Sequence, residues 1–328
     1  MLCYTSTVGL IEAVPNISEG RRGAVVEALA SALETCDGVT LLDTSSDATH
    51  NRTVFTLVGK PTPVKAALLT LFAASVERID LRTHTGVHPR IGAVDVVPLV
   101  PLDPADMQTC IALASELGAL VAQQFELPVY LYEKAARRPE RQPLERIRTG
   151  GFEGLTEKML TREWKPDFGP ATPHPSAGAT VIGARRILIA FNINLNSSDI
   201  DIALRIASTI RESNGGLVAV KAIGVRTARD DVVQVSINLV NYELTPLHHV
   251  FEVVQREAQQ LGATIRNSEI IGLAPTAALL AAATHSLSLK GFTRSHLLDT
   301  CMQQASSLAP SADPETLRFA LPTLQTRK

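Results

Sequence analysis

The spacing of apolar and polar positions divides the chain into two stretches that read in the same order. Residues 9–17 form a mostly apolar run of strand length, and in 20–36 Val25, Val26, Leu29 and Leu33 recur at the interval of one helix face. Residues 39–43 and 53–58 read as strands joined by the polar turn Thr44-Ser45-Ser46-Asp47. Pro61-Thr62-Pro63 opens a second helix to about residue 79, since proline is tolerated in a first turn. Residues 91–100 give another strand. The order is β-α-β-β-α-β, the split βαβ or ferredoxin-like unit. A helix over 107–125 and a strand over 129–132 follow it.

The C-terminal half repeats that order. Strands are predicted at 186–195, 217–225, 232–240 and 263–272, and helices at 198–212 and 247–261. Ser197 or Ser198 is placed to cap the first helix, and Thr227-Ala228-Arg229-Asp230 forms the turn between the middle strands. The fold class is therefore α+β, with two such units in tandem, as an internal duplication would leave them. Residues 276–307 read as helical, and the chain from Pro310 is polar and expected to fray.

Successive strand residues point to opposite faces. Ile187, Ile189, Phe191, Ile193 and Leu195 then share one face of their strand, against Leu188, Ala190, Asn192 and Asn194. Val233, Val235, Ile237 and Leu239 likewise oppose Gln234, Ser236 and Asn238. Helices cover one side of such a sheet, so the amides line the other. Asn is depleted from strands, and several amides on adjoining strands fit a floor that hydrogen-bonds a polar heterocycle better than a plain solvated surface. Between the halves, residues 164–178 are rich in proline and glycine but also hold Trp164 and Phe168. Both prefer burial, so a packed functional loop is expected there rather than a passive linker.

A length of 328 residues suits about two domains, and 45 % hydrophobic content supplies their cores. Acidic and basic residues nearly balance at a net charge of -2, which argues against nucleic acid or an anionic membrane as partner. No apolar run approaches the ~20 residues that span a bilayer, and the N-terminus lacks the pattern of a secretory signal. Cys3, Cys36, Cys110 and Cys301 show no metal or disulfide spacing, which suits a cytoplasmic protein. The motifs of ATP binding, NAD binding and acyl-enzyme chemistry are not found.

Chemistry concentrates in three segments. Arg82-Thr83-His84-Thr85-Gly86-Val87-His88-Pro89-Arg90 lies on a loop before a strand. Gly86 and Pro89 prevent the helix that would place both histidines on one metal, and no third ligand accompanies them, so no metal is expected. A histidine held among Gly, Pro and Arg is a candidate general acid/base, its ordinary pKa of about 6.5 allowing proton traffic both ways. His50-Asn51-Arg52 ends a turn, where an amide beside a guanidinium suits a carboxylate. Pro15-Asn16-Ile17-Ser18-Glu19-Gly20 runs from strand into helix. There Asn16 or Ser18 can cap the helix, or its amides can receive an anion.

These residues carry a family resemblance. Val14-Pro15-Asn16-Ile17-Ser18-Glu19-Gly20, Leu41-Leu42-Asp43, Asn51-Arg52-Thr53-Val54, His84-Thr85-Gly86-Val87-His88-Pro89-Arg90-Ile91-Gly92-Ala93-Val94-Asp95 and Pro128-Val129-Tyr130-Leu131-Tyr132 resemble the glutamate formimidoyltransferase family. So do Pro166-Asp167-Phe168-Gly169-Pro170, Gly178-Ala179-Thr180, Gly183-Ala184-Arg185 and Ile189-Ala190-Phe191-Asn192-Ile193-Asn194-Leu195. The resemblance implies two ferredoxin-like subdomains, 1–184 and 185–328, with a substrate cleft between them, in a homodimer. It implies transfer of the formimino group of N-formimidoyl-L-glutamate to N5 of tetrahydrofolate, a co-substrate, in histidine degradation. His88 is then the catalytic residue. Folate contacts fall on Gly169, Pro170, Ala171, Thr172, Pro173, His174, Pro175, Ser176, Ala177 and Gly178. Asn16, Asp43, Asn51, Arg52, His84, Arg90, Asn192 and Asn194 complete the predicted binding set. Arg52 and Arg90 are assigned to carboxylates and the two strand amides to the pterin, while Asp43 or Asp95 would orient His88. Formyl transfer from the same cleft and a non-catalytic folate carrier are the alternatives. Compared with the animal members, Val87 replaces a Glu, Ser45 replaces an Asp, His174 stands at an apolar position, and no cyclodeaminase domain is expected.

Overall fold

The computed structural model describes residues 9–227 and 229–302. The first predicted strand is broken in two. β1 (Ile11–Ala13) and β2 (Asn16–Ile17) lie in line, each antiparallel to the same two neighbours, because Pro15 has no N–H to give to the ladder. α1 (Gly23–Glu34), β3 (Val39–Asp47), β4 (Arg52–Gly59), α2 (Pro61–Arg78) and β5 (Val94–Pro101) follow. Across the sheet the order is β3, β4, the β1/β2 line, β5. α3 (Met107–Phe125) leads to β6 (Val129–Glu133), the short helices α4 (Leu144–Arg148) and α5 (Leu155–Leu160), and β7 (Thr180–Ala184). β7 inserts between β5 and β6, parallel to both.

Two expectations are corrected here. Thr44-Ser45-Ser46-Asp47 is not a turn: β3 runs through it, Ser45 opposite Val54 and Asp47 opposite Arg52. The reversal occupies 48–51, where Asn51 adopts the left-handed conformation at φ 50°. The segment at 164–178 does not join the halves either, because β7 follows it inside the first sheet. Asp167 accepts from Leu131 N at 2.8 Å, Phe168 O accepts from Val129 N at 3.0 Å, and the Phe168 ring packs against Gly118. The packed loop predicted there is present.

One face of the first sheet buries Phe55, Leu57 and Leu99 against Leu29 and Leu33 of α1, Leu68, Leu71 and Phe72 of α2, and Leu117 and Val121 of α3. Each such side chain contributes roughly 1.5–3 kcal/mol of transfer free energy. On the opposite face Val96, Tyr130, Tyr132 and Val181 are covered by Ile147, Leu155 and Met159 of α4 and α5. That cover stops at β5. Beyond it the same face carries Asn16, Asp43, Ser45, Asp47 and Arg52, as their cross-strand partners fix. The candidate site residues lie where the cover ends.

The second half comprises β8 (Ile189–Asn196), α6 (Ile200–Ile210), β9 (Val220–Arg226), β10 (Val232–Leu239), α7 (Leu247–Gln260), β11 (Ile265–Ile271) and α8 (Thr276–Ser286). Its antiparallel sheet runs β11, β8, β10, β9, so again the first strand lies between the fourth and the third. Ile189, Phe191, Ile193 and Leu195 are buried under the helices as predicted. The cap of α6 is Asp199, which accepts from Asp201 N at 2.9 Å, rather than either serine. Of the stretch predicted as helical, α8 ends at Ser286, a single turn follows at Arg294–His296 and 298–302 are helical again, while the chain from 303, with the tail from Pro310, lies outside the described residues. On the other face Gln234 donates to Asn194, Asn194 to Asn267, and Asn192 to Glu269. Lys221, on the same face of β9, reaches Glu145 of α4 at 3.1 Å, so the amide face turns toward the first half there. Among the described residues no helix is long and apolar enough to cross a membrane.

Candidate functional site

The turn 48–51 and the loop 82–90 are tied together by one residue. Asn51 accepts from Gly20 N at 2.9 Å through its Oδ1, donates to Thr85 O at 2.9 Å through Nδ2, and offers its carbonyl to His84 Nε2 at 2.9 Å. The approach is so close that a Cβ on Gly86 would lie 2.4 Å from His50 O. Asn51 therefore acts as a cross-link. The end of β2 is joined in similar fashion: Ser18 donates to Gly92 O, and Glu19 accepts from the N–H groups of Arg21 and Arg22 ahead of α1. Neither Asn16 nor Ser18 caps that helix. No side chain caps it, and Glu19 binds the N–H groups just ahead of it; burial would raise its carboxyl, but these N–H groups and the Arg22 guanidinium hold it below the ordinary range.

His84 is fixed by both ring nitrogens. Arg90 Nε donates to its Nδ1 at 2.9 Å, so Nε2 carries the hydrogen that bonds the Asn51 carbonyl. Burial, with Arg90 beside it, lowers its pKa and keeps it neutral. Arg90 also bonds His84 O and pairs with Glu153 at 2.8 Å.

His88 faces Arg52. Its Nδ1 donates to Pro89 O at 2.7 Å, and its Nε2 accepts from the Arg52 guanidinium. The second guanidinium nitrogen of Arg52 is held by Asn16 Oδ1. Burial drives the His88 pKa down to about 2, with Arg52 and then Arg148 adding to the effect. Burial likewise brings Arg52 down to about 9, Arg148 contributing. Arg148 is held in place by Asp95 at 2.5 Å, and Asp95 also accepts from Ile91 N at 2.8 Å. Among the described residues no carboxylate bonds the His88 ring, so neither Asp43 nor Asp95 orients it directly. The space enclosed by His50, Asn51, Arg52, His84, His88 and Arg90 is about 10 Å³, room for one water-sized group. The Arg52 guanidinium occupies the Nε2 of His88.

This geometry sets a pH dependence. Unfolded, His88 has its ordinary value of 6.5 and takes up a proton that the folded state refuses. Its contribution to stability is complete above about pH 6.5 and is lost as pH falls toward about 2, at up to about 1.4 kcal/mol per pH unit. Urea midpoints are expected to fall between pH 6.5 and 5, and His88→Gln to flatten that slope. An equal slope in the variant contradicts the depressed value.

A second, open cavity of about 340 Å³ adjoins the first at His84 and is lined by Arg82, Phe152, Glu153, Pro173, His174 and Pro175. Its volume is that of a small-molecule site. His174 and Gly178 bond each other's backbone, and His174 Nδ1 accepts from Ala177 N at 3.0 Å, which sets the prolines on either side of it. Of the predicted set, Asn51, Arg52, His84, His88 and Arg90 meet in one cavity with Asn16 behind Arg52, and Pro173, His174 and Pro175 meet in the other. Asp43, Gly169, Pro170, Ala171, Thr172, Ser176, Ala177, Gly178, Asn192 and Asn194 line neither. Among the described residues no cluster of three or more His, Cys, Asp or Glu could hold a metal ion.

Several participants were not predicted as site residues, Arg82 and Phe152 of the open cavity among them. His50 stands beside Asn51-Arg52, with Asp47 three residues before it, and that spacing across a turn was the available signal. Nothing local marks Arg148 or Glu153, whose partners lie 53 and 63 residues away in sequence.

An α+β protein with a histidine and a guanidinium facing each other beside an open ligand cavity is a small-molecule enzyme by class. Residues 10–185 match the family described as formiminotransferase domain, N-terminal subdomain, and residues 190–295 match the formiminotransferase domain. The chain belongs to the formiminotransferase family. It is 44 % identical over 283 residues to the glutamate formimidoyltransferase of Streptococcus pyogenes serotype M1, covering 86 % of this chain and 95 % of that one. It is 42 % identical over 303 residues to that of Thermoplasma acidophilum, covering 92 % and 100 %. The formimidoyltransferase-cyclodeaminase of Rattus norvegicus is 44 % identical over 280 residues, which are 84 % of this chain and 52 % of the rat protein.

Proposed function

We infer that the protein is a glutamate formimidoyltransferase, moving the formimino group of N-formimidoyl-L-glutamate to N5 of tetrahydrofolate in histidine degradation. The observation that carries this reading is the meeting of Asn51, Arg52, His84, His88 and Arg90 in one cavity, in a chain whose full-length relatives bear that activity in their names. The equal strand order of the two sheets supports a description as two ferredoxin-like subdomains, 1–184 and 185–328, with the substrate cleft on the side where Lys221 meets Glu145. The protein works as a cytoplasmic homodimer in this reading.

The N5 amine attacks the amidine carbon, which is electrophilic because the amidine is cationic near neutrality. The tetrahedral intermediate must lose a proton from N5 and deliver one to the departing glutamate nitrogen. His88 Nε2 takes the N5 proton. It is free to do so once a substrate carboxylate draws the Arg52 guanidinium off the ring, so binding and base activation are one event. The open cavity beside His84 suits the pterin, with Pro173, Pro175 and Phe152 as apolar walls and Arg82, Glu153 and His174 for its polar edge.

Purified protein mixed with tetrahydrofolate and formimidoyl-glutamate, then acidified, is expected to give the absorbance of methenyl-folate in proportion to protein and to both substrates. A signal with formyl-glutamate but not with the formimino donor would reassign the donor. Folate binding without turnover would leave a carrier.

A further inference from the structure

One histidine of the site, His50, has a ring nitrogen that no described neighbour occupies, whereas Arg52 occupies the Nε2 of His88. Asp47, the last residue of β3, accepts from the backbone N of His50 at 2.9 Å through Oδ1 and bonds the His50 Nδ1 at 2.8 Å through Oδ2. Burial would raise the Asp47 carboxyl, but these contacts and the Thr49 N–H hold it below the usual carboxylate range, so it stays ionised and fixes the tautomer. His50 therefore carries its Nδ1 hydrogen toward Asp47 and points Nε2 away. Among the described residues nothing bonds that Nε2, and the side chain is 42 % exposed.

The ring stands edge-on to His88, centroids 6.1 Å apart and planes at 65°, and both line the same cavity. A group bound in that cavity therefore has both rings as neighbours. The charged and titratable groups around His50 are Asp47 beneath it, His88 across from it, Arg52 at the head of β4, and Arg21, which donates to Ala48 O at 2.7 Å. Glu19 and His84 lie behind the Asn51 cross-link.

We propose that His50, held by Asp47, is a second catalytic residue: the general acid that protonates the departing glutamate nitrogen while His88 serves as base. The proposal rests on the transfer reading given above. After N5 bonds to the amidine carbon, the C=N electron pair resides on the amino nitrogen, and His88 Nε2 takes the N5 proton. The His50 imidazolium gives its Nε2 proton to the glutamate nitrogen. The C–N bond to glutamate breaks with its electron pair on that nitrogen, and the amino lone pair re-forms C=N on the carbon now bound to N5. His50 regains a proton from solvent at its exposed edge, and His88 returns its own there. Division of labour fits two rings with opposite surroundings: one pressed against a guanidinium, the other seated on a carboxylate.

The test is kinetic and spectroscopic on the full chain. His50→Gln is expected to lower kcat about 10²-fold with KM within about threefold, and to remove the fall in kcat at high pH that marks loss of the acid. Added imidazole is expected to restore part of the rate. Asp47→Asn is expected to lower kcat less than His50→Gln does, because the ring remains but loses the carboxylate that holds it. A His50→Gln protein with kcat within threefold of the parent overturns the proposal. So does a loss of rate that keeps the high-pH limb and is not rescued by imidazole. Parent protein that transfers nothing from formimidoyl-glutamate sinks the transfer reading and this proposal with it. An active parent with an unaffected variant sinks the proposal alone.

Discussion

Replacing His88 with glutamine is expected to lower kcat by roughly 10²–10⁴ while the fold persists. The size follows from the arrangement around it. His88 is the ring whose Nε2 faces the Arg52 guanidinium, while His84 is engaged at both ring nitrogens and His50 is held by Asp47 at Nδ1. The fold should survive because the loop 82–90 is anchored by His84, Asn51 and Arg90, none of which bonds the His88 side chain. Steady-state rates with both substrates, beside a circular dichroism melt, measure the two halves of the expectation. Near-parental kcat with an intact melt removes His88 from the mechanism. Arg52→Ala separates base from lock. It should raise the His88 pKa from about 2 toward the ordinary value, since one of its depressing neighbours is gone. Turnover should nevertheless fall if Arg52 holds a substrate carboxylate as proposed above.

Much of this arrangement was legible where side-chain pattern and local spacing coincide. Helix α3 was read with both its ends because its apolar face repeats without interruption from Met107 to Phe125. The faces of β8 and β10 were read from strict alternation. Pattern failed where burial is two-sided or the exposed side is polar. β7 is buried at all five positions between two parallel neighbours, so Thr180-Val181-Ile182-Gly183-Ala184 shows no alternation, and its glycine suggests a loop. Residues 44–47 failed for the opposite reason. They pair with β4 as a strand, but with Thr, Ser and Asp on both faces they have the composition of a turn. In the site, His84, His88, Arg90, Asn51 and Arg52 lie in two short motifs and were found as such. Arg148 and Glu153 entered only through contacts that the fold creates. Arg90 looked like a free carboxylate ligand because Glu153, its partner at 2.8 Å, sits on a segment with no readable role.

That segment is also where a single change should cost most stability. Asp167→Ala is expected to destabilise the protein by about 3–5 kcal/mol, a large part of the ~5–15 kcal/mol that holds a domain folded. Arg141 pairs with Asp167 at 2.9 Å with only 1 % of its side chain exposed, and stacks over Tyr130. Its Nη2 donates to both Glu163 O and Lys165 O. Removing the carboxylate leaves that guanidinium without an anion and also strips the acceptor from Leu131 N. The penalty arises from the charge left behind rather than from the net worth of the pair. Arg141→Met combined with Asp167→Leu should therefore recover a good part of the loss. Urea denaturation of the three proteins decides the matter, and a single variant within about 1 kcal/mol of the parent would contradict it. Function should follow stability in a specific way. The 139–168 stretch carries Arg148 to Asp95 and Glu153 to Arg90, and it runs directly into Gly169 and the prolines of the open cavity. Loosening it should lower kcat as well as stability, because Glu153 holds Arg90 of the 82–90 loop that carries His88.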